Sequence, residues 1–144
     1  MSAGDFRSGP NNAAGQRAHT RLVREIVAGL GSCPDLALHV NPVGEAEVSS
    51  VSKDGTFHQR HQTVGLGPGS PDIVGMLTIQ TLAVWFCLEA KTGTGTLNPR
   101  QREWHSAMLQ RGVLVYTVHS VGEAWAALTD ARERVRRALG RGLP

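Results

Sequence analysis

Cysteine is scarce in this chain: of 144 residues only Cys33 and Cys87 carry a thiol, and they form no C-x-x-C pair. Two cysteines are too few to staple a secreted scaffold, and their spacing does not suit a structural zinc site, so both are expected to be reduced thiols. Lysine is scarcer than positive charge. Thirteen of the fifteen basic residues are arginine, which leaves Lys53 and Lys91 as exceptions. Long apolar runs are missing too: no stretch approaches the roughly 20 uninterrupted apolar residues of a membrane span, and MSAGDFRSGPNNAAGQ lacks the apolar centre of a signal peptide. These absences predict a soluble, cytoplasmic protein with no membrane association. Residues 72–144 hold nine Lys/Arg against six Asp/Glu, whereas residues 1–71 hold six of each. The resulting formal charge of +3 favours polyanions through counterion release, but it is common among proteins that never meet nucleic acid. Charge alone selects no partner.

A chain of this length builds one core and little more. Residues 1–15 are rich in Gly, Asn, Ala and Ser without periodicity and read as a flexible N-terminal arm; residues 16–144 read as a single domain. Leu22, Val23, Ile26, Val27 and Leu30 recur at helical spacing, and Gly31 follows as a stop. Leu36 to Val40 predicts a short strand. Residues 46–61 predict a polar, exposed hairpin around Lys53-Asp54-Gly55, because Asp-Gly favours a tight turn. The segment from Gly65 to Pro71 is a loop by its glycines and prolines. Near-continuous apolar runs at Asp72–Thr78 and Leu82–Ala90 then predict a buried antiparallel pair at the centre of a sheet. Asn98-Pro99-Arg100-Gln101 carries an N-cap residue, proline at the first helical position and Gln at N3, a strong helix start. That helix is expected to end at Gly112. Val113 to Val118 predicts another strand, and Ser120-Val-Gly-Glu123 repeats the capping-box pattern to open a last helix. Its inner stripe is Val121, Ala124, Trp125, Leu128, Val135 and Leu139. The order predicts an α/β fold with a mixed sheet flanked by helices.

Pairing across the central hairpin brings two acids together. With a turn near Ile79 to Thr81, partners sum to about 160, which sets Asp72 opposite Glu89 or its neighbour. Opposed carboxylates repel, and a divalent cation compensates them well. Strand alternation puts Lys91 on the same face as Glu89 and Ala90 on the other. Two acids and an amine around one point suit metal-assisted phosphodiester hydrolysis. The carboxylates and a main-chain carbonyl would leave a hard cation open positions for water and a phosphate oxygen. The lysine would orient the water or neutralise charge on the phosphorane.

At these residues the chain resembles the PD-(D/E)xK nuclease superfamily, and within it the VRR-NUC family. Pro71-Asp72 and Glu89-Ala90-Lys91 match the superfamily signature. Context extends the likeness: Gly69-Ser-Pro-Asp-Ile-Val-Gly75, the apolar strand into Glu-Ala-Lys, then Leu97, Gln101 and Trp104, Gly112, and Val118-His-Ser-Val121. The resemblance covers roughly residues 19–128. It implies a restriction-endonuclease-like core and a Mg²⁺- or Mn²⁺-dependent DNA endonuclease. Asp72, Glu89 and the Ala90 carbonyl would be on the metal, with Lys91 catalytic and Gln101 close by. It also implies a homodimer resembling Holliday-junction resolvases, acting on branched DNA. Members of the family usually carry a glutamate on the first helix facing the metal, and His19 occupies that place here. At about 100° per residue, His19 falls inside the apolar stripe and Glu25 outside it. His19 is thus a further candidate for water or metal contact, though histidine is a poorer partner for Mg²⁺.

Plainer readings stand beside these. Asp72 is also a cap after Pro71, Glu89 and Lys91 a solvated ion pair at a strand end, Gln101 a capping-box residue, and His19 an inward histidine satisfied by hydrogen bonds. His58 and His61 sit in a polar, exposed hairpin with no cysteine nearby and do not read as a metal pair. Arg60, Arg100, Arg132 and Arg136 are candidates for DNA-backbone contact, although the last helix's arginines also read as its solvated face. The exposed hairpin with the first helix is the expected dimer surface. The alternative to an enzyme is a nuclease-like module that binds nucleic acid or a partner without cleaving it.

Overall fold

The computed structural model describes residues 10–142. In chain order the elements are α1 (Pro10–Leu30), β1 (Leu36–Val40), β2 (Gly44–Val51), β3 (Phe57–Val64), β4 (Ile73–Ile79), β5 (Leu82–Ala90), α2 (Pro99–Leu109), β6 (Leu114–Val118) and α3 (Val121–Gly140). Four strands form one sheet in the order β1-β4-β5-β6, while β2 and β3 form a separate two-stranded sheet. β4 runs antiparallel to both β1 and β5, and β6 runs parallel to β5, so the sheet is mixed. The parallel pair requires a crossover, and α2 supplies it.

Side-chain alternation divides the sheet into two unlike faces. Ile73 and Leu77 of β4, Phe86, Leu88 and Ala90 of β5 and Val118 of β6 share one face and are almost fully buried. Against them pack Val23, Ile26 and Leu30 of α1 and Ala124, Leu128, Ala131 and Val135 of α3. This is the apolar core. The helices approach closely where Gly29 faces Val121: a Cβ on Gly29 would lie 3.2 Å from Val121 Cγ1. The opposite face carries Cys87, Glu89 and Val115, buried on the side that α2 covers, and the exposed Trp85 and Met76.

Several local expectations are revised. α1 begins at Pro10 rather than Gln16, so residues 10–15 are helical; the rest of the expected arm, residues 1–9, lies outside the described residues. Ala13 to Arg17 are all exposed, and a helical turn that buries nothing carries no apolar periodicity to read. Trp125, expected on the inner stripe of α3, is 39% exposed, and the small Ala127 and Ala131 take the inward positions. Ser120 caps α3 by accepting from Glu123 N at 3.1 Å, but the Glu123 carboxylate accepts from His119 N instead of closing the box. The polar hairpin extends to Gly44 and Val64. Its three-residue turn has Gly55 at φ 83°, the left-handed conformation that glycine adopts without strain.

Candidate active site

The site forms where β4 begins and β5 ends. Ile73 pairs with Leu88, and Asp72 and Glu89 are the next residues of that register. Backbone pairing alone therefore sets the two acids side by side. Asp72 Oδ2 accepts from Ala90 N at 2.9 Å, which ties the acid to the neighbouring strand. Ala90 itself is fully buried, and Lys91 N continues the pairing to Val118 O at 2.9 Å.

Glu89 is 2% exposed, which removes the reading of a solvated strand end. Its Oε1 lies 3.0 Å from Lys91 Nζ and accepts from Gln101 Nε2. Gln101 Oε1 in turn accepts from Lys91 Nζ at 2.8 Å and from Asn98 N at 3.0 Å. The same amide therefore closes the capping box of α2 and brackets the acid–amine pair. Its orientation is fixed by its neighbours, since two donors surround the oxygen and a carboxylate faces the nitrogen.

His19 reaches the same point from α1: its Nε2 is 3.2 Å from Asp72 Oδ2. Glu25 points to solvent and pairs loosely with Arg21 at 3.9 Å. The inward and outward assignments made from helical spacing hold.

Two buried residues near the site carried no motif in the sequence. Asn41, 7% exposed, donates through Nδ2 to Ser70 Oγ at 2.9 Å and to Pro71 O at 2.7 Å, and accepts from Leu66 N through Oδ1 at 3.0 Å. Its backbone N donates to Asp72 O at 2.7 Å. One side chain thus fastens the glycine loop that delivers Asp72. Gly65 permits this, because at φ 77° a Cβ would lie 2.7 Å from Asn41 Oδ1. Gly69 likewise sits against the Arg100 carbonyl, where a Cβ would lie 2.6 Å from the oxygen. His105, one helical turn after Gln101, is 7% exposed with Nε2 lacking a partner among the described residues. Burial first, and the Lys91 charge second, hold it below the usual histidine range and so neutral. An asparagine at a strand end and a histidine inside a polar helix are the only sequence signals for either.

Burial pushes the Glu89 carboxyl above its ordinary range, the Asp72 charge adds to the rise, and Lys91 opposes it. Glu89 Oε2 is buried with no hydrogen-bond partner among the described residues. An orphaned, desolvated carboxylate oxygen beside a second carboxylate fits a hard cation, which would satisfy the oxygen and offset the repulsion. No three His, Cys, Asp or Glu side chains converge as a metal site among the described residues. A set of two carboxylates and the Ala90 carbonyl would not form such a triad.

The arginine candidates scatter. Arg60 is exposed on β3 opposite Val48, Arg100 is exposed in the first turn of α2, and Arg136 is exposed on α3. Arg132 is corrected from solvated cation to structural clamp. Its Nε and Nη2 donate to the two Asp35 oxygens at 2.8 and 2.7 Å, so its charge is neutralised within the fold. No protein-family model matches the chain, and no curated protein matches it either.

Proposed function

We propose that the protein is a metal-dependent DNA endonuclease with a restriction-endonuclease-like core of the VRR-NUC type, hydrolysing phosphodiester bonds in branched DNA. The observation that carries this reading is the buried Glu89, with one oxygen held by Lys91 and Gln101 and the other orphaned, beside the opposed Asp72. A structural ion pair has no need of the second acid, and leaving a buried carboxylate oxygen unpartnered costs about 1–3 kcal/mol. Asp72, Glu89 and the Ala90 carbonyl are the groups that would hold Mg²⁺ or Mn²⁺, and His19 would stand at the edge of that set through Asp72. Such an ion, when bound, supplies Lewis-acid polarisation of a phosphate oxygen.

The chain's own groups do the rest. Lys91, held between Glu89 and Gln101, offers its remaining N–H to a water or to a phosphate oxygen. Its positive charge stabilises the extra negative charge that builds as water oxygen bonds to phosphorus and the ester oxygen departs. Gln101 fixes the ammonium so that little reorganisation is needed at that moment. His105, neutral and buried one helical turn after Gln101, adds no positive charge beside Lys91.

A homodimer would present two such sites to a two-fold junction. The apolar cross-strand pair Val51 and Phe57, 66% and 62% exposed near the hairpin tip, offers a self-complementary patch for it. The outer face of α1 does not, because a two-fold contact would set Arg17, Arg21 and Arg24 against their own copies. Among the described residues no helix is long and apolar enough to cross a membrane.

A specific observation favours a second reading, a nuclease-like module that binds without cutting. His19 takes up Asp72 Oδ2 at 3.2 Å, so one of the two acids has a partner within the fold without any ion. Incubation with supercoiled plasmid and with a synthetic four-way junction, in Mg²⁺, in Mn²⁺ and in EDTA, separates the two. Cleavage that needs the metal is the expected result; intact DNA under all three conditions selects the binding module.

A further inference from the structure

The basic charge of this fold is differently distributed from that of its sequence. α3 carries four arginines between Arg132 and Arg137, yet three acids lie on the same helix and Asp35 lies beside it. Arg132 is clamped by Asp35, Arg134 Nε is 2.8 Å from Asp130, and Arg137 Nη2 is 3.3 Å from Glu133. α1 differs. Its three arginines, Arg17, Arg21 and Arg24, share one side of the helix at i, i+4 and i+7 spacing, with Glu25 the only acid in the element. The Arg21–Glu25 contact is long, at 3.9 Å against 2.7 to 3.3 Å for the α3 pairs, so it holds its arginine least.

That arginine face runs into the candidate site. A groove of about 400 Å³ lies between α1 and the segment from Val40 to Val43, and Asp72 and His19 line it together with Gln16, Thr20 and Arg24. Gln16, Thr20 and Arg24 also line the adjoining hollow that holds Arg17 and Arg21. The two hollows therefore adjoin along these three side chains. From Arg17 to Arg24 the helix rises about 10 Å, about three base-pair steps of rise along a duplex axis.

We infer that α1 is the strand-binding element of this protein. Arg17, Arg21 and Arg24 hold successive phosphates of one DNA strand, and the Gln16 and Thr20 side chains hydrogen-bond that backbone as it enters the groove towards Asp72. Charge complementarity identifies the occupant: a row of guanidiniums that is open among the described residues, beside neutral hydrogen-bonding side chains, suits a phosphodiester chain and reads no base. The inference rests on the proposed hydrolysis of DNA only for the strand's direction of entry; the binding itself stands apart from cleavage.

Fluorescence anisotropy of a labelled DNA duplex, titrated in EDTA over 50–200 mM salt, tests it. Arg17→Ala/Arg21→Ala/Arg24→Ala should weaken binding at least tenfold and lower the slope of log affinity against log salt by about two to three. Arg134→Ala/Arg137→Ala, which removes only arginines paired with acids of their own helix, should change affinity less than about twofold. The single variant Arg24→Gln, which lies outside the core, should lower the slope by about one even if the triple variant folds poorly. Undetectable wild-type binding, an unchanged slope in Arg24→Gln, or an α3 variant that loses more affinity than the α1 variant would overturn the inference. Because EDTA excludes cleavage, α1-dependent binding without any metal-supported nicking would sink the hydrolase and leave the strand-binding face standing.

Discussion

Gln101 donates through Nε2 to Glu89 Oε1, twelve residues away in sequence, while the same side chain closes the capping box with Asn98. Helix initiation and site geometry thus depend on one amide. The two roles separate by mutation. Asn98→Ala removes the cap alone and should cost about 1 kcal/mol with cleavage nearly unchanged below the melting temperature. Gln101→Ala should cost a similar amount but also release Lys91, lowering the cleavage rate about tenfold or more. Thermal melts paired with plasmid-nicking rates distinguish them, and equal rates in the two variants would reduce Gln101 to a cap.

Asn41 carries the second expectation. Removing its three side-chain hydrogen bonds in Asn41→Ala should destabilise the fold by about 2–3 kcal/mol, because the buried Pro71 carbonyl and Ser70 hydroxyl, and the Leu66 N–H, lose their partner. Cleavage measured well below the new melting temperature should fall as well, since the loop no longer fixes Asp72. Retained cleavage together with the stability loss would confine Asn41 to folding.

What was legible in the sequence follows from what periodicity records. The pairing of Asp72 with Glu89 came from the turn position and the period-two alternation of a buried hairpin, and the inward aim of His19 from helical spacing; both are properties of local geometry. Glu89's burial was not legible, because it is produced by α2 crossing over the sheet, a tertiary event with no local signature. Asn41 escaped for the same reason: its partners lie 25 to 30 residues away. The clamp on Arg132 joins residues separated by 97 positions, so a helix rich in arginine looked more solvated than it is. Trp125 shows the opposite error. Periodicity placed it on the inner stripe, but it lies at the stripe's edge, where it is 39% exposed, while Ala124, Leu128, Ala131 and Val135 take the buried positions.

Glu89 gives a pH-dependent expectation. A carboxyl whose folded value is raised favours folding most below its ordinary value of 4.5 and loses that contribution as pH rises through the folded value. In EDTA, wild type should therefore lose stability relative to Glu89→Gln as pH climbs from about 4.5 into the neutral range. Added Mg²⁺ or Mn²⁺ should reverse the order, stabilising wild type by about 2–3 kcal/mol at a hundredfold excess over Kd and leaving Glu89→Gln unmoved. Melting curves that run parallel at every pH, with no response to metal, would remove Glu89 from any cation site.

His19 is tested by restoring an acid. Its Nε2 stands 3.2 Å from Asp72 Oδ2, so His19→Glu adds a hard oxygen ligand where an imidazole now sits. Mg²⁺-supported cleavage should rise, or the preference should shift from Mn²⁺ towards Mg²⁺, while the metal-free fold weakens by about 1 kcal/mol from the added repulsion. An unchanged metal profile would make His19 a partner of Asp72 alone.

The rate of metal-supported plasmid nicking by Lys91→Ala against wild type tests the central claim most directly. Lys91 is the ammonium that Glu89 and Gln101 hold at 3.0 and 2.8 Å, and its loss leaves both partners in place. Wild type should nick DNA in Mg²⁺ or Mn²⁺ and stop in EDTA, and Lys91→Ala should be slower by about a hundredfold or more with its DNA affinity within a few-fold of wild type. Near-wild-type turnover by Lys91→Ala would contradict the assigned chemistry.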